Sequence, residues 1–351
     1  MLITRTVDGL ESPSLGERQA ILDGPVSEAA FTAAFGRLPA LTAIEHRAPP
    51  TAAAPVDRAR IVFWNAERLK YFEASVGFLG GLQADALLLC EVDVGMARSD
   101  NRHTIAELAA RLGSGYLFAA EFVELDLGDQ RERSWHLGQM NAAGLHGGGI
   151  VSRHRLARPG LIRLETSGRW FNGAFGERRV GGRIAVAAEI PLAGTTALLV
   201  SAHYESHTDP EDRLLSTRVM LDAVDAHAPG RPVLIGGDFN TSTFSLPEKR
   251  DAEIQRAALL RDPMRLVDPV AYEPMFAELS RRGYDWARCN FAHAATQRTR
   301  PDGTPAPPFG KIDWLFSRGL RCEAPAILAA VDAKGVTISD HEALAVTIAL
   351  E

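Results

Sequence analysis

From Arg60 onward the chain repeats one feature: a short apolar run that stops at a carboxylate, an amide or an imidazole. "IVFWN" stops at Asn65, "ALLLCE" at Glu91, "ALLVSAH" at His203, and "VLIGGDFN" at Asp238 and Asn240. Asp313 sits inside "KIDWLF", and Asp340 and His341 sit in "ISDHEALAV". Runs of this length, bounded by glycine and polar residues, read as buried strands. Residues i and i+2 of an extended segment share a face, so Asp238 and Asn240 reach into the same space. An ionised carboxylate beside buried aliphatics is costly unless it is paired or bound to a cation. If the strand ends converge, they form one acidic pocket with two histidines.

The segments between these runs are helical in pattern. "YFEASVGFLGGLQ" has helical periodicity, "NRHTIAELAARLG" reads as a helix closed by Gly113, and "DPEDRLLSTRVMLDAVDAH" is an amphipathic helix with acidic residues in its first turn. "RIAVAAEIP" and "TTALLVSAHYE" read as a hairpin, and "QRTRPDGTPAPPFGK" reads as a loop. The mixture predicts a layered α/β (α+β) protein, with two sheets packed face to face and helices outside. Residues 1–56 hold one helical stretch, "SEAAFTAAFGRL", and the breaker-rich "RAPPTAAAP"; they read as an N-terminal appendage and linker, leaving 57–351 as the catalytic domain.

Charge narrows the partners. The formal net charge is −6, so the chain is not steered to nucleic acid by its overall charge, although a local basic groove stays open. The basic spots "GERRVGGR" and "TQRTR" read as solvated loops. Cys90, Cys289 and Cys322 fit neither a zinc site nor a disulfide framework. The start of the chain has no long apolar stretch and no run is long enough to cross a bilayer, so a soluble cytoplasmic protein is expected. No protein partner is implied.

Clustered carboxylates and an amide without cysteine are hard oxygen ligands that suit Mg²⁺ or Mn²⁺. Hydrolysis of a phosphoester needs its negative oxygens neutralised, a water placed in line and a leaving oxygen stabilised. Asp and Glu can hold the cation or orient water, and Asn and His can donate hydrogen bonds to the developing charge.

The segments "FWNAE", "LLLCEVD", "VSAHYES", "IGGDFN", "KIDWLF" and "SDHEAL" occur in the order found in the endonuclease/exonuclease/phosphatase superfamily, also called DNase I-like, and "GGIVSR" is similar to the strand before that family's central hairpin. The resemblance covers residues 59–351. It implies a four-layer α/β sandwich, two central mixed β-sheets flanked by helices. It also implies Glu91 as the main metal ligand with Asn65 beside it and near the phosphate, and Asp340 as a further metal-side carboxylate. Asp238 would orient or activate water, and Asn240 would hold a phosphate oxygen. His341 would contact the scissile phosphate with Asp313 fixing its tautomer, and His203 would act as acid or donor. The partner of His203 is left between Glu121, Glu124 and neither. Gly148 departs from the family pattern, which often places Asn there.

Position alone suggests that Arg98, Asn101 and Arg102, in the loop after Glu91, grip a second phosphate or head group. Arg153 reads as structural; His146, His154, His207 and His293 read as surface or loop residues. Trp170, Phe171 and Phe175 read as core, with exposure and substrate contact as the alternative. The resulting expectation is a Mg²⁺- or Mn²⁺-dependent phosphodiesterase acting on a small or lipid-like diester. A DNA or RNA nuclease is the alternative, and a non-catalytic binding protein on the same scaffold ranks last.

Overall fold

Alternation along the apolar runs decides the layers. In the computed structural model, which describes residues 2–192, 194–298 and 308–351, Ile61 and Phe63 point one way from the strand Ala59–Arg68, and Val62 and Trp64 point the other. Both faces are apolar, so both must be covered. Ile61, Phe63, Leu88 and Ile150 pack against Val186, Leu199, Leu234 and Leu315 of a second sheet. Val62, Trp64, Leu87 and Leu89 face a separate core with Val76, Leu79, Ile105 and Leu108, carried by the helices Phe72–Gly81 and Thr104–Arg111. The outer face of the second sheet is covered by Met220, Leu221 and Val224 of the helix Pro210–His227 and by Met275 and Phe276 of Met275–Arg281. These are the four layers expected, two sheets between two helical layers.

One sheet has six strands, in the order Leu2–Ile3, Ala157–Arg163, Ile184–Leu192, Thr195–His203, Val233–Asp238 and Asp313–Arg318. The other has nine, centred on Ala59–Arg68, Ala86–Val94, Leu145–Ser152 and Gly115–Glu124, with Ala343–Leu350 and Leu320–Leu328 on one side. Both are mixed: Ala59–Arg68 runs parallel to Ala86–Val94 and antiparallel to Ala343–Leu350, and Thr195–His203 runs parallel to Val233–Asp238. Ile184–Leu192 and Thr195–His203 form the expected hairpin. A Cβ on Gly236 would lie 2.9 Å from Leu88, 3.0 Å from Leu315 and 3.1 Å from Phe63, so glycine here lets the sheets approach. The loop read from "QRTRPDGTPAPPFGK" falls largely on 299–307, outside the described residues. Among the described residues no helix is long and apolar enough to cross a membrane.

The first 56 residues, expected as an appendage and linker, pack on both sheets. Leu2–Ile3 pairs with Ala157–Arg163, and Ile44–Arg47 pairs with Gly115–Glu124. Phe31, Leu38 and Leu41 join the outer core of the larger sheet. The buried guanidinium of Arg163 donates to the carbonyls of Leu41, Ala120, Glu121 and Gly182. Burial pushes this Arg down to about 10, against the opposing pull of the Glu121 and Glu165 carboxylates. The sequence leaves a packed arm and a mobile tail equally open here, because two-residue strands carry no periodicity.

Leu41 is fully buried, so Leu41→Ala is expected to lower the unfolding free energy by about 3 kcal/mol, read by urea denaturation. A loosely attached arm would leave the unfolding midpoint unchanged.

Candidate active site

Strand register brings the first three groups together. His203 pairs in register with Asp238, and Asp238 with Asp313, so the three lie in one row across adjacent strands. The larger sheet faces this row with Asn65, which follows Phe63 in the same alternation and is fully buried. Its Nδ2 donates to Asp238 Oδ2 at 3.0 Å and to Glu91 Oε1 at 3.2 Å.

Glu91 reaches this point only because its strand is irregular. Leu88 and Cys90 face the second sheet, so regular alternation would turn Glu91 away. The register slips between Leu89 and Val92, and Glu91 takes a positive φ of 50°, which re-aims its side chain into the cleft. The neighbouring strand slips between Asn65 and Arg68, where Glu67, Arg68 and Leu69 have φ of 42°, 70° and 53°. Left-handed backbone at four non-glycine residues is costly, and such strain gathers where geometry serves function.

Two imidazoles flank Asp238. His341 Nε2 and His203 Nε2 each stand 3.8 Å from Asp238 Oδ2. Each ring is backed by a buried carboxylate on Nδ1: Asp313 Oδ2 at 2.9 Å for His341, and Glu121 Oε2 at 3.1 Å for His203. This resolves the open pairing of His203, since Glu124 bonds Arg179 instead. Asn240 lines the same cleft, with its backbone N–H donating to Asp238 Oδ1 and its Nδ2 to the carbonyl of Tyr204.

The electrostatics follow from burial and neighbours. Burial pushes the Asp238 carboxyl up to about 6, with Asp313 adding to the rise and His341 and His203 opposing it. Burial disfavours charge on His341, yet Asp313 and Asp238 outweigh it and hold the ring well above the usual histidine range. Burial opposes charge on Glu91 too; Arg68 leads the groups that hold it well below the usual carboxylate range, followed by His203. Glu91 is therefore ionised and His341 a cation near neutral pH.

The cleft encloses about 620 Å³, and Glu67, Glu91, Asp238, Asn240, Asp340 and His341 are among its lining groups. Glu67 was missed in the sequence: its carboxylate accepts from the Asp340 backbone N–H at 3.0 Å and pairs with Lys70. Burial, then Asp340, raises its carboxyl. Arg68 was also missed; it spans Glu91 and Glu132, each at 3.2 Å. Arg183 lines the cleft and places one nitrogen 2.6 Å from Glu121 and 3.1 Å from His203 Nδ1.

Among the described residues one group of possible ligands converges closely, and a second set of carboxylates lines the same cleft without doing so. Asp238, Asp313 and His341 bring ligand atoms within 4.8 Å of one another. A cation there would take the Asp313 oxygens away from His341, leaving a buried imidazolium unpaired. Glu91 with the Asp340 and Glu67 carboxylates at the same cleft offers only oxygen, the donor set that suits Mg²⁺ or Mn²⁺.

Several expectations are corrected. Arg98 lines the cleft, but its guanidinium is taken up by buried carboxylates: it donates to both oxygens of Asp93, at 2.8 and 3.0 Å, and to Glu132 at 3.0 Å. Arg102 pairs with Glu107 at 2.6 Å, stacks on Phe72 and does not line the cleft. Asn101 bonds Met140 and Ala142 of the neighbouring loop. His146 and His154 are buried, against Asp93 at 2.7 Å and Asp85 at 2.9 Å, while His207 and His293 are exposed as expected. The "GERRVGGR" arginines are not solvated: Arg179 and Arg183 are buried in ion pairs and Arg178 is half-buried. In the "TQRTR" spot Arg298 pairs with Glu342 at 2.6 Å, and Arg300 lies outside the described residues. Arg153 pairs with Asp85, and Trp170 and Phe171 are core, as read. A Cβ on Gly148 would meet the Leu89 carbonyl at 3.1 Å, so the strand pairing leaves little room for a side chain.

Comparison with known proteins places these features in context. Residues 62–341 match a family model described as "Endonuclease/Exonuclease/phosphatase family". Among solved structures the chain is similar to an endonuclease/exonuclease/phosphatase from Beutenbergia cavernae, at 18% identity and TM-score 0.55, covering 84% of this chain and 72% of that one. It is also similar to a functionally unknown conserved protein from Enterococcus faecalis, at 15% and 0.54, covering 83% and 100%. The human Nocturnin catalytic domain, whose structure holds a sulfate anion, aligns at 16% and 0.52, covering 84% and 94%. At these identities the likeness speaks for the fold alone. Among curated proteins none matches.

Arg98→Ala would leave Asp93 buried without its guanidinium and Glu132 with Arg68 alone. The unfolding free energy is expected to fall by about 3–5 kcal/mol with little change in KM. A raised KM with an unchanged melting temperature would return Arg98 to the substrate.

Proposed function

Because the chain belongs to the endonuclease/exonuclease/phosphatase family, we propose that its cleft hydrolyses a phosphodiester with the aid of Mg²⁺ or Mn²⁺, and that the substrate is small or lipid-like. Members of this family are generally hydrolases acting on phosphoesters. The observation that carries the reading is the pair of carboxylate-backed imidazoles, each with Nε2 3.8 Å from Asp238, beside the ionised Glu91.

Glu91, Asn65 and Asp340, with Glu67, would hold the cation, which when bound neutralises phosphate charge and polarises the ester. Asp238 serves as the base: it is the one buried carboxylate between two imidazoles, and its proton is lost near pH 6. Asn240 orients a phosphate oxygen. His341, charged and fixed through Asp313, donates from Nε2 to the oxygens that gain charge. His203, steadied by Glu121 and Arg183, donates to a phosphate oxygen or to the leaving group.

The nuclease reading loses support inside the protein. Affinity for a polynucleotide backbone needs several free cations. Arg98, Arg179 and Arg183 are buried in ion pairs, and the net charge is −6. Buried free thiols at Cys90, Cys289 and Cys322 accord with a cytoplasmic setting.

Wild-type protein is expected to hydrolyse bis(p-nitrophenyl) phosphate with Mg²⁺ or Mn²⁺ and to stop when EDTA is added. Asp238→Ala should lower kcat by about a thousandfold or more while the circular dichroism spectrum is unchanged. Activity retained in that variant would remove the central assignment.

The pH profile has a defined sign. A base is active when deprotonated, so kcat/KM should climb about tenfold per pH unit below pH 6 and level off above it. His341 stays protonated across this window because its titration lies well above the ordinary histidine value. A flat profile from about pH 5 to about pH 7 would exclude Asp238 as the base.

A further inference from the structure

One lip of the cleft is apolar and exposed. Between the strands Gly115–Glu124 and Leu145–Ser152 the chain forms the short helix Gln130–Trp135 and a turn after it. Trp135 is 63% exposed, Leu137 87% and Met140 64%, three large apolar side chains within six residues. Leu15, 48% exposed, shares a surface recess with Met140. Trp135 also lines the cleft, so this surface is continuous with the phosphate site.

The charges of the lip are sorted. Glu132 is buried against Arg68 and Arg98, and Asp129 caps the helix through the backbone N–H groups of Arg131 and Glu132. Arg131 pairs with Asp129 yet remains exposed beside the Trp135 ring, at 6.0 Å from its centroid. Lys70 and Tyr71, themselves cleft-lining, continue the pattern of cation beside aromatic. The outward face is thus tryptophan, leucine and methionine, with Arg131 and Lys70, each also paired with a carboxylate, at its cleft edge and the exposed Asp126 in the recess beside Met140. That is the pattern of a segment that enters the headgroup region of a bilayer, with aromatic and aliphatic side chains in the interface and cations at the lipid phosphates. Leu137 and Met140 offer no flat surface on which a nucleobase would stack, so the lip favours lipid over single-stranded nucleic acid.

We propose that residues 130–140 form an interfacial lip that seats the protein on a phospholipid surface, so that a headgroup phosphodiester enters the cleft while its acyl chains stay in the membrane. The membrane contact follows from the lip alone; the identity of the substrate as a phospholipid rests on the phosphodiesterase reading above.

The two parts are separated by measuring binding in EDTA and hydrolysis with Mg²⁺. Full-length protein is incubated with phosphatidylcholine vesicles containing some phosphatidylglycerol, and binding is read by sedimentation and by tryptophan emission. Trp64, Trp170 and Trp314 are buried and Trp286 is half-buried against Phe276 and Phe316, so a blue shift on vesicle addition that is lost in Trp135→Ala reports on Trp135. The double variant Leu137→Glu, Met140→Glu is expected to bind vesicles about tenfold or more weakly and to lose the shift, with bis(p-nitrophenyl) phosphate turnover unchanged. Leu215→Glu, at an exposed leucine on the helix Pro210–His227, should bind like the wild type. Wild-type protein that ignores vesicles, or a double variant that binds them as well as wild type, overturns the proposal. Vesicle binding without release of a lipid headgroup would keep the lip and sink the phospholipid substrate. A blue shift with single-stranded DNA and none with vesicles would overturn the lip in favour of a nucleic-acid contact.

Discussion

The hydrogen bond from Asn65 to Asp238 joins the two sheets where they end. Neither sheet contains a complete site. The smaller one supplies His203, Asp238 and Asp313 in a single row, and the larger one supplies Asn65, Glu91 and Glu121. Their chemistry becomes common only because the sheets pack face to face with their polar ends at the same edge. Gly236 sits in that interface, where a side chain would press on Leu88, Leu315 and Phe63. A shift between the layers would therefore separate Asp238 from Glu91 before it unfolded anything.

Around this junction the protein buries charge on a scale that apolar packing does not require. Arg98 ties Asp93, Glu132 and His146 together, and Arg183 ties Glu121, Glu205 and His203. Each ion carries a desolvation cost of several kcal/mol, which close pairing offsets. What the pairs add is direction. A carboxylate held by two guanidinium N–H groups cannot rotate, and the imidazole it backs cannot choose another tautomer. Rigid placement of this kind is what an acid–base site needs, since a misplacement of about 1 Å costs about a hundredfold in rate.

The strand ends were legible in the sequence because each apolar run is short and its last residue is chemically unlike the rest. Asn65 was named as the end of its run; in the structure it shares the inward face of Phe63, two residues earlier. Glu91 was named from its position but its orientation was not readable, since only the slip in register and its left-handed backbone bring it into the cleft. Arg102 was misread because a loop beside a site looks like a substrate loop until its partners are known; Glu107 claims Arg102, and Asp93 and Glu132 hold Arg98 at the cleft wall. Arg179, Arg183, His146 and His154 were misplaced because the rule that polar residues lie outside fails where charges pair. The N-terminal segment was underread because its edge strands are too short for a pattern.

Arg163 ends as a statement about birth order. Its guanidinium gathers carbonyls from residues 41, 120, 121 and 182, and Leu2–Ile3 waits for the strand that carries it. During synthesis Leu2–Ile3 emerges well over a hundred residues before the strand Ala157–Arg163 on which it docks. Residues 2–41 are thus made long before they are secured, and the Arg163 that holds the Leu41 carbonyl also holds the backbone of the Glu121 whose side chain steadies His203. The acid–base pair shares its anchor with a segment that lies more than a hundred residues away along the chain.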